Sequence, residues 1–244
     1  MTARDPWEQE FNTFSVVGRC ARTGQLGVAI ATKAMMVGSR CPYARAGCGA
    51  VTTQASTNPR LGPLALTLLA QGYPAPKVLA ELLEAEPFPE KRQIAVVDRD
   101  GRSAAHTGSG TRPWTGHRTA PDVSAQGNIL AGEAVVTAMV ETFDAQTEPT
   151  LGERLLRALE AGKAAGGEVG GERSGALLVV DREPFPLVDI RVDLHDQPIA
   201  ELRRIWDQYA PLVPYFVERA TNPYMPPEEE WLRQRAATVV GGQP

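Results

Sequence analysis

Residues 13–32 read Thr-Phe-Ser-Val-Val-Gly-Arg-Cys-Ala-Arg-Thr-Gly-Gln-Leu-Gly-Val-Ala-Ile-Ala-Thr, and this stretch decides the fold class. Two apolar runs, Phe14 to Gly18 and Leu26 to Thr32, flank a polar turn at Arg22-Thr23-Gly24, which is the pattern of an antiparallel hairpin. It recurs where Ile94 to Val97 and Ser103 to Thr107 flank Asp98-Arg99-Asp100-Gly101, and where Ala176 to Val180 and Val188 to Val192 flank the bend at Pro184 and Pro186. Gly27 to Ala31 and Ala176 to Val180 are small or apolar at every position rather than at alternate ones, so both faces of these strands must be covered.

Helical spacing lies between the hairpins: Val78, Leu79, Leu82 and Leu83; Val135, Val136, Met139, Val140 and Phe143; Leu151, Leu155 and Leu159. Thr150 and Glu153 have the spacing of a capping box for the last of these. Helices that arrive in blocks, not after each strand, argue against a doubly wound parallel sheet. The expected class is α/β (α+β), with two stacked antiparallel sheets between two helical layers.

At 244 residues and 43% apolar content, one large domain can hold such a core. The formal charge of −4, with both signs interspersed, offers no cationic surface for nucleic acid or anionic lipid. Neither the N-terminal Met-Thr-Ala-Arg-Asp-Pro-Trp-Glu-Gln-Glu-Phe-Asn nor any other stretch has the apolar run of a secretory signal or a membrane span, so a cytoplasmic location is expected. Cys20, Cys41 and Cys48 cannot all pair within the chain and lack zinc spacing; they read as reduced and mostly buried. His106, His117 and His195 fall in no metal motif, and Gly108-Ser109-Gly110 lacks the context of a nucleotide loop. Neither a metal nor a cofactor is expected.

Beyond Asp196 the composition changes. A helix from about Ile199 to Tyr209 precedes Pro211, Pro214, Pro223, Pro226 and Pro227, with Trp206, Tyr209, Tyr215, Phe216, Tyr224 and Trp231 among them. Residues 198–244 therefore read as an arm whose aromatics pack on their own domain or on a partner subunit, most simply in a homodimer.

Thr13 to Arg19 and Thr23 to Ala31 are followed by Val37-Gly38, Pro42 to Gly47, Gly49 to Pro59, Gln126 to Gly132, Ala165-Gly166-Gly167 and Ser174 to Val180. In that order these segments resemble a bacterial domain-of-unknown-function family, DUF1028, related to the N-terminal-nucleophile (Ntn) hydrolases. The resemblance covers roughly residues 13–200. It implies an Ntn-hydrolase-like four-layer αββα sandwich over residues 13–197, preceded by an extension of residues 1–12, with Thr13 as nucleophile at the start of the first strand.

A threonine hydroxyl attacks poorly until a base takes its proton, and a free α-amine on the same residue, with pKa near ~8, can be that base. Twelve residues precede Thr13, so its amine must be exposed by cleavage at Asn12-Thr13, or the chain is inactive as an Ntn enzyme. The plain alternative is a strand-opening threonine. Lys33, at the end of the second strand, can lower the pKa of the nucleophile or bind an acidic group; otherwise it is a solvated strand-end lysine. Asn128, in Gln126-Gly127-Asn128, is a candidate oxyanion donor or a turn residue. The two side chains are expected to converge on Thr13.

Four residues are candidates for binding substrate. Asn58 equally reads as an N-cap before Pro59, Ser174 as a turn hydroxyl after the glycine loop, and His117 as an exposed loop histidine. Thr53 shares a strand with Thr52 and Ser56, and alternation forbids all three from lining one pocket. The leading expectation is hydrolysis of a small amide or lactam. The alternative is a non-catalytic small-molecule binder or scaffold that keeps the fold, and a cysteine-dependent hydrolase comes third.

Overall fold

The computed structural model describes residues 12–145 and 150–241. The chain divides into two compact units, residues 1–202 and 203–244.

The first unit is a four-layer αββα sandwich. A six-stranded antiparallel sheet has the order β10-β9-β2-β1-β8-β7 and a four-stranded one the order β3-β4-β5-β6. The strands of the larger sheet are β1 (Thr13–Arg19), β2 (Leu26–Thr32), β7 (Thr115–Ala120), β8 (Val123–Asn128), β9 (Ser174–Val180) and β10 (Val188–Val192). Those of the smaller are β3 (Pro42–Arg45), β4 (Gly49–Ala55), β5 (Arg92–Asp98) and β6 (Ser103–Thr107). Helices α1 (Leu61–Ala70) and α2 (Ala75–Ala85) cover the smaller sheet, and α3 (Ala134–Ala145) and α4 (Leu151–Ala164) the larger.

Alternation sorts β1 cleanly. Phe14 turns toward Gly162 of α4 and Gly18 lies against Phe143 and Leu155, whereas Ser15 reaches Gln54 of the other sheet and Val17 joins the apolar cluster between the sheets. Burial of both faces is why β2 and β9 are small or apolar up to the paired Thr32 and Ser174 at one end. Gly27 is required by packing, because a Cβ there would lie 2.5 Å from the Leu178 carbonyl oxygen.

All three hairpins expected from the sequence are present, with strand ends extended by one to two residues. Two local expectations are corrected. Thr150 precedes α4 but makes no side-chain cap, so the capping box does not form. His117, expected on a loop, lies within β7, whose polar sequence and exposed edge give no apolar alternation to read.

The second unit follows from within α5 (Pro198–Tyr209), through α6 (Val213–Thr221) to α7 (Glu228–Gly241). Its aromatics pack on one another: Tyr209 stacks on Phe216 at 5.6 Å, and Tyr215 meets Phe216 and Trp231 edge-on at 5.3 and 5.5 Å. The Tyr215 hydroxyl donates to the Pro226 carbonyl at 3.0 Å.

Candidate active site

At one end of the larger sheet the register lines up five polar residues across five strands. Ser174 pairs with Thr32, Thr32 with Thr13, Thr13 with Asn128, and Asn128 with Thr115. Directly paired residues project to the same face. That face looks into the space between the sheets, since Ser15 and Gln126, two residues along, reach Gln54 and Thr52 of the facing sheet.

Thr13 is 4% exposed, and its Oγ1 lies 2.9 Å from Oγ1 of Thr32. The Thr32 hydroxyl donates its proton to the Asn12 carbonyl oxygen at 2.5 Å, so the hydroxyl–hydroxyl contact must use the proton of Thr13. The same carbonyl accepts the backbone N–H of Lys33 at 3.3 Å. Thr13 hydroxyl, Thr32 hydroxyl and Asn12 carbonyl thus form a directed chain that ends, with two donors, on the peptide bond joining Asn12 to Thr13.

Beside Thr13, Asn128 Nδ2 donates to Gln93 Oε1 at 3.0 Å, which commits one of its amide hydrogens. Gln93 also accepts from Gln54 Nε2 at 2.8 Å, and its own amide reaches the Gly127 and Gly116 carbonyls at 2.8 and 3.1 Å. Ser15 donates to Gln54 at 2.6 Å. The nucleophile candidate is therefore flanked by a buried, cross-linked amide network that fixes the ends of β1 and β8.

Lys33 follows β2 in a bend outside the strand, and its N–H donates to the Asn12 carbonyl. There a Cβ added to Gly170 would lie 3.1 Å from Lys33 Nζ and 3.8 Å from Asn12 Nδ2. The Asn12 amide donates to the Val169 carbonyl, and Asn12 is completely buried.

The structure also separates the residues expected to bind substrate. The Ser174 hydroxyl, in the polar row, donates to the Ala34 carbonyl at 2.6 Å and accepts from the Val37 N–H at 3.1 Å, tying down the segment after β2. Thr53 is buried on the other face of β4, toward α1 and α2, as shown by its neighbour Val51 in that cluster. Asn58 lies before α1; its Oδ1 accepts from the Arg60 N–H at 3.2 Å, and its Nδ2 donates to Glu86 at 2.6 Å. Glu86 also pairs with Arg92 at 2.9 Å, and these bonds hold its carboxyl below the usual range against the opposing effect of burial. His117 is exposed, with Nδ1 2.9 Å from Thr107 Oγ1.

Sequence reasoning missed Thr32, the amides Gln54, Gln93 and Gln126, and Glu168. Thr32 was accessible from the hairpin register alone, being opposite Thr13. Glu168 stands in Gly166-Gly167-Glu168-Val169-Gly170-Gly171, which reads as a linker. It is 4% exposed, and neither carboxyl oxygen has a hydrogen-bond partner among the described residues. Burial and the neighbouring Glu172 push its pKa up to about 10, against weaker opposing effects of Lys163 and Lys33. Both causes favour the neutral acid. Among the described residues no cluster of His, Cys, Asp and Glu can hold a metal, and no helix is long and apolar enough to cross a membrane.

The model of the family of unknown function DUF1028 matches residues 13–202. The crystal structure of protein SPO2555 from Silicibacter pomeroyi, of that family, is 32% identical with a TM-score of 0.76, over 81% of this chain and 86% of that one. Anbu (ancestral beta-subunit) from Yersinia bercovieri is 12% identical with a TM-score of 0.34, over 84% of this chain and 97% of that one. None of the curated proteins compared matches. Because the family model covers most of the chain and begins at the first residue of β1, this protein belongs to the DUF1028 family.

Proposed function

We propose that this protein is a hydrolase of the Ntn type, acting on a small amide or lactam bond, with Thr13 as nucleophile after cleavage of its own Asn12–Thr13 bond. The observation that carries this reading is the directed chain from the Thr13 hydroxyl through Thr32 to the Asn12 carbonyl.

In the first step Thr13 Oγ1 attacks the Asn12 carbonyl carbon and closes a five-membered ring. Its proton passes to Thr32 Oγ1 as the Thr32 proton passes to the carbonyl oxygen, so no charge builds up in the buried site. The Lys33 N–H supports that oxygen. The carbon–nitrogen bond then breaks, the new hydroxyl proton goes to the Thr13 nitrogen, and an ester to Oγ1 remains. Water hydrolyses the ester, releasing the Asn12 carboxyl and leaving Thr13 with a free amine and hydroxyl. In turnover that amine serves as base, the substrate carbonyl occupies the place of the Asn12 carbonyl, and Asn128 borders the acyl group.

A chain beginning at Thr13, its initiator methionine removed, should hydrolyse members of an amide and lactam panel, and Thr13→Ala should abolish turnover while the circular dichroism spectrum is kept. Turnover by both chains, or by neither, contradicts the reading. A second reading is supported by the burial of Asn12 and Thr13: with the bond intact the hydroxyl is sealed from solutes, and the chain is a binding or scaffold protein. It predicts ligand binding without turnover by both forms.

A further inference from the structure

The side chain of Asn12 occupies a site of its own. Its Nδ2 donates to the Val169 carbonyl in the loop between α4 and β9, which also carries Glu168 and the glycines at 166, 167, 170 and 171. Gly170 has φ +98°, and any Cβ there would enter the space shared by Asn12 Nδ2 and Lys33 Nζ. The loop is thus shaped to leave room for a small polar side chain at that point. It is held in place by the Val169 N–H to the Ile129 carbonyl and by the Ala131 N–H, at 3.0 Å, to the Gly167 carbonyl.

We infer that this site is the acyl-side specificity pocket of the enzyme, and that it selects substrates whose acyl group carries a primary carboxamide, as asparagine does. The inference rests on the reading of Thr13 as nucleophile. The pocket holds the acyl residue of the first bond cut, and once residues 1–12 depart it is vacant beside the same carbonyl cradle of Thr32 and Lys33.

The Val169 carbonyl only accepts, so the side chain facing it must donate. An amide does so, and an alkyl group leaves the carbonyl without its bond. A carboxylate offers that carbonyl no proton and sets oxygen against oxygen. Lys33 works the other way and would attract a carboxylate. Its ammonium is only half-buried and solvent-screened, so the direct contact to Val169 governs. Asn12 Oδ1 has no partner among the described residues, which leaves the donor side of the amide as the group that is read.

The test uses the full chain with Asn12, Asn12→Asp, Asn12→Ala and Asn12→Leu, followed by intact mass, melting temperature and, for the cleaved wild type, hydrolysis of N-acetyl anilides of the same four residues. Cleavage and anilide hydrolysis should both be fastest for Asn. Ala should be about tenfold slower for one lost hydrogen bond, and Asp about a hundredfold slower for an unmatched buried charge. Equal rates for the four, or Asp ahead of Asn, overturn the pocket and leave the hydrolase reading standing. If no variant is cut and no anilide is turned over, the hydrolase reading fails. The specificity pocket then falls with it, and the melting temperatures serve to show that each variant was folded when tested.

Discussion

The space between the two sheets has two halves built by the same alternating strands and filled by opposite chemistry. Under β2 and β9 it is a dry cluster of Leu26, Val28, Ile30, Ala176 and Val180, facing Ala50, Ala95 and Val97. Under β1 and β8 it holds Thr13, Ser15, Gln126 and Asn128, facing Thr52, Gln54 and Gln93, all within 4% of full burial. The boundary crosses β1 between Ser15 and Val17, and Thr32 and Ser174 at the ends of β2 and β9 lie on its polar side. A buried amide costs free energy unless every partner is in place, and an apolar residue fits the same layer without that demand. The polar half is not there to strengthen the core. It fixes Thr13 among donors and acceptors with definite directions, which apolar packing cannot do.

The largest expected effect lies at the hub of the polar half. Gln93→Leu removes the acceptor used by Gln54 and Asn128 and the donor used by the Gly116 and Gly127 carbonyls. Leaving several buried groups unpaired should cost about 4 kcal/mol, measured by urea unfolding. A loss under ~1 kcal/mol would mean that the network is not integral to the fold. Ile30→Ala, in the dry half, should cost about 3 kcal/mol through lost burial and a cavity, yet leave the rate of Asn12–Thr13 cleavage unchanged at temperatures where it stays folded. A matching fall in rate would erase the distinction between the halves.

Thr32→Val sharpens the comparison from the other side. It keeps the shape of a branched residue, removes the relay hydroxyl, and should cost only about 1 kcal/mol in stability. Cleavage should nonetheless slow at least ~100-fold, the scale of losing one donor to a reacting oxygen. A separate, pH-dependent effect concerns Glu168. Its folded pKa, about 10, lies above the unfolded value near 4.5, so the folded state binds the extra proton between them. Stability should decline as pH rises from about 4.5 toward 10, and Glu168→Gln should flatten that decline. Parallel stability profiles for the two proteins would show that the buried carboxyl is not protonated at neutral pH.

The layering was legible because strand alternation and helical spacing are local properties. The uniformly small or apolar runs at 27–31 and 176–180 announced strands covered on both faces, and the structure places them side by side as β2 and β9. The site was legible only in part. The polar row depends on register across five strands, and apart from the β1–β2 and β7–β8 hairpins that register is set by contacts far apart in sequence. Gln93 shows the difficulty: nothing near it in sequence distinguishes it from a strand-end glutamine, yet its partners lie on four other strands. Lys33, directly after Thr32, lies in a bend beyond the end of β2, so strand register alone could not place its ammonium.

The central claim is that the Thr13 hydroxyl is aimed, through Thr32, at the bond that holds its own amine. Intact-mass spectrometry of the purified full-length chain, followed over days at neutral pH beside Thr13→Ala, tests it most directly. A species of residues 13–244 should accumulate in the wild type and never in the variant. A wild-type chain that keeps residues 1–12 indefinitely, or a Thr13→Ala chain cut at the same bond, would contradict it.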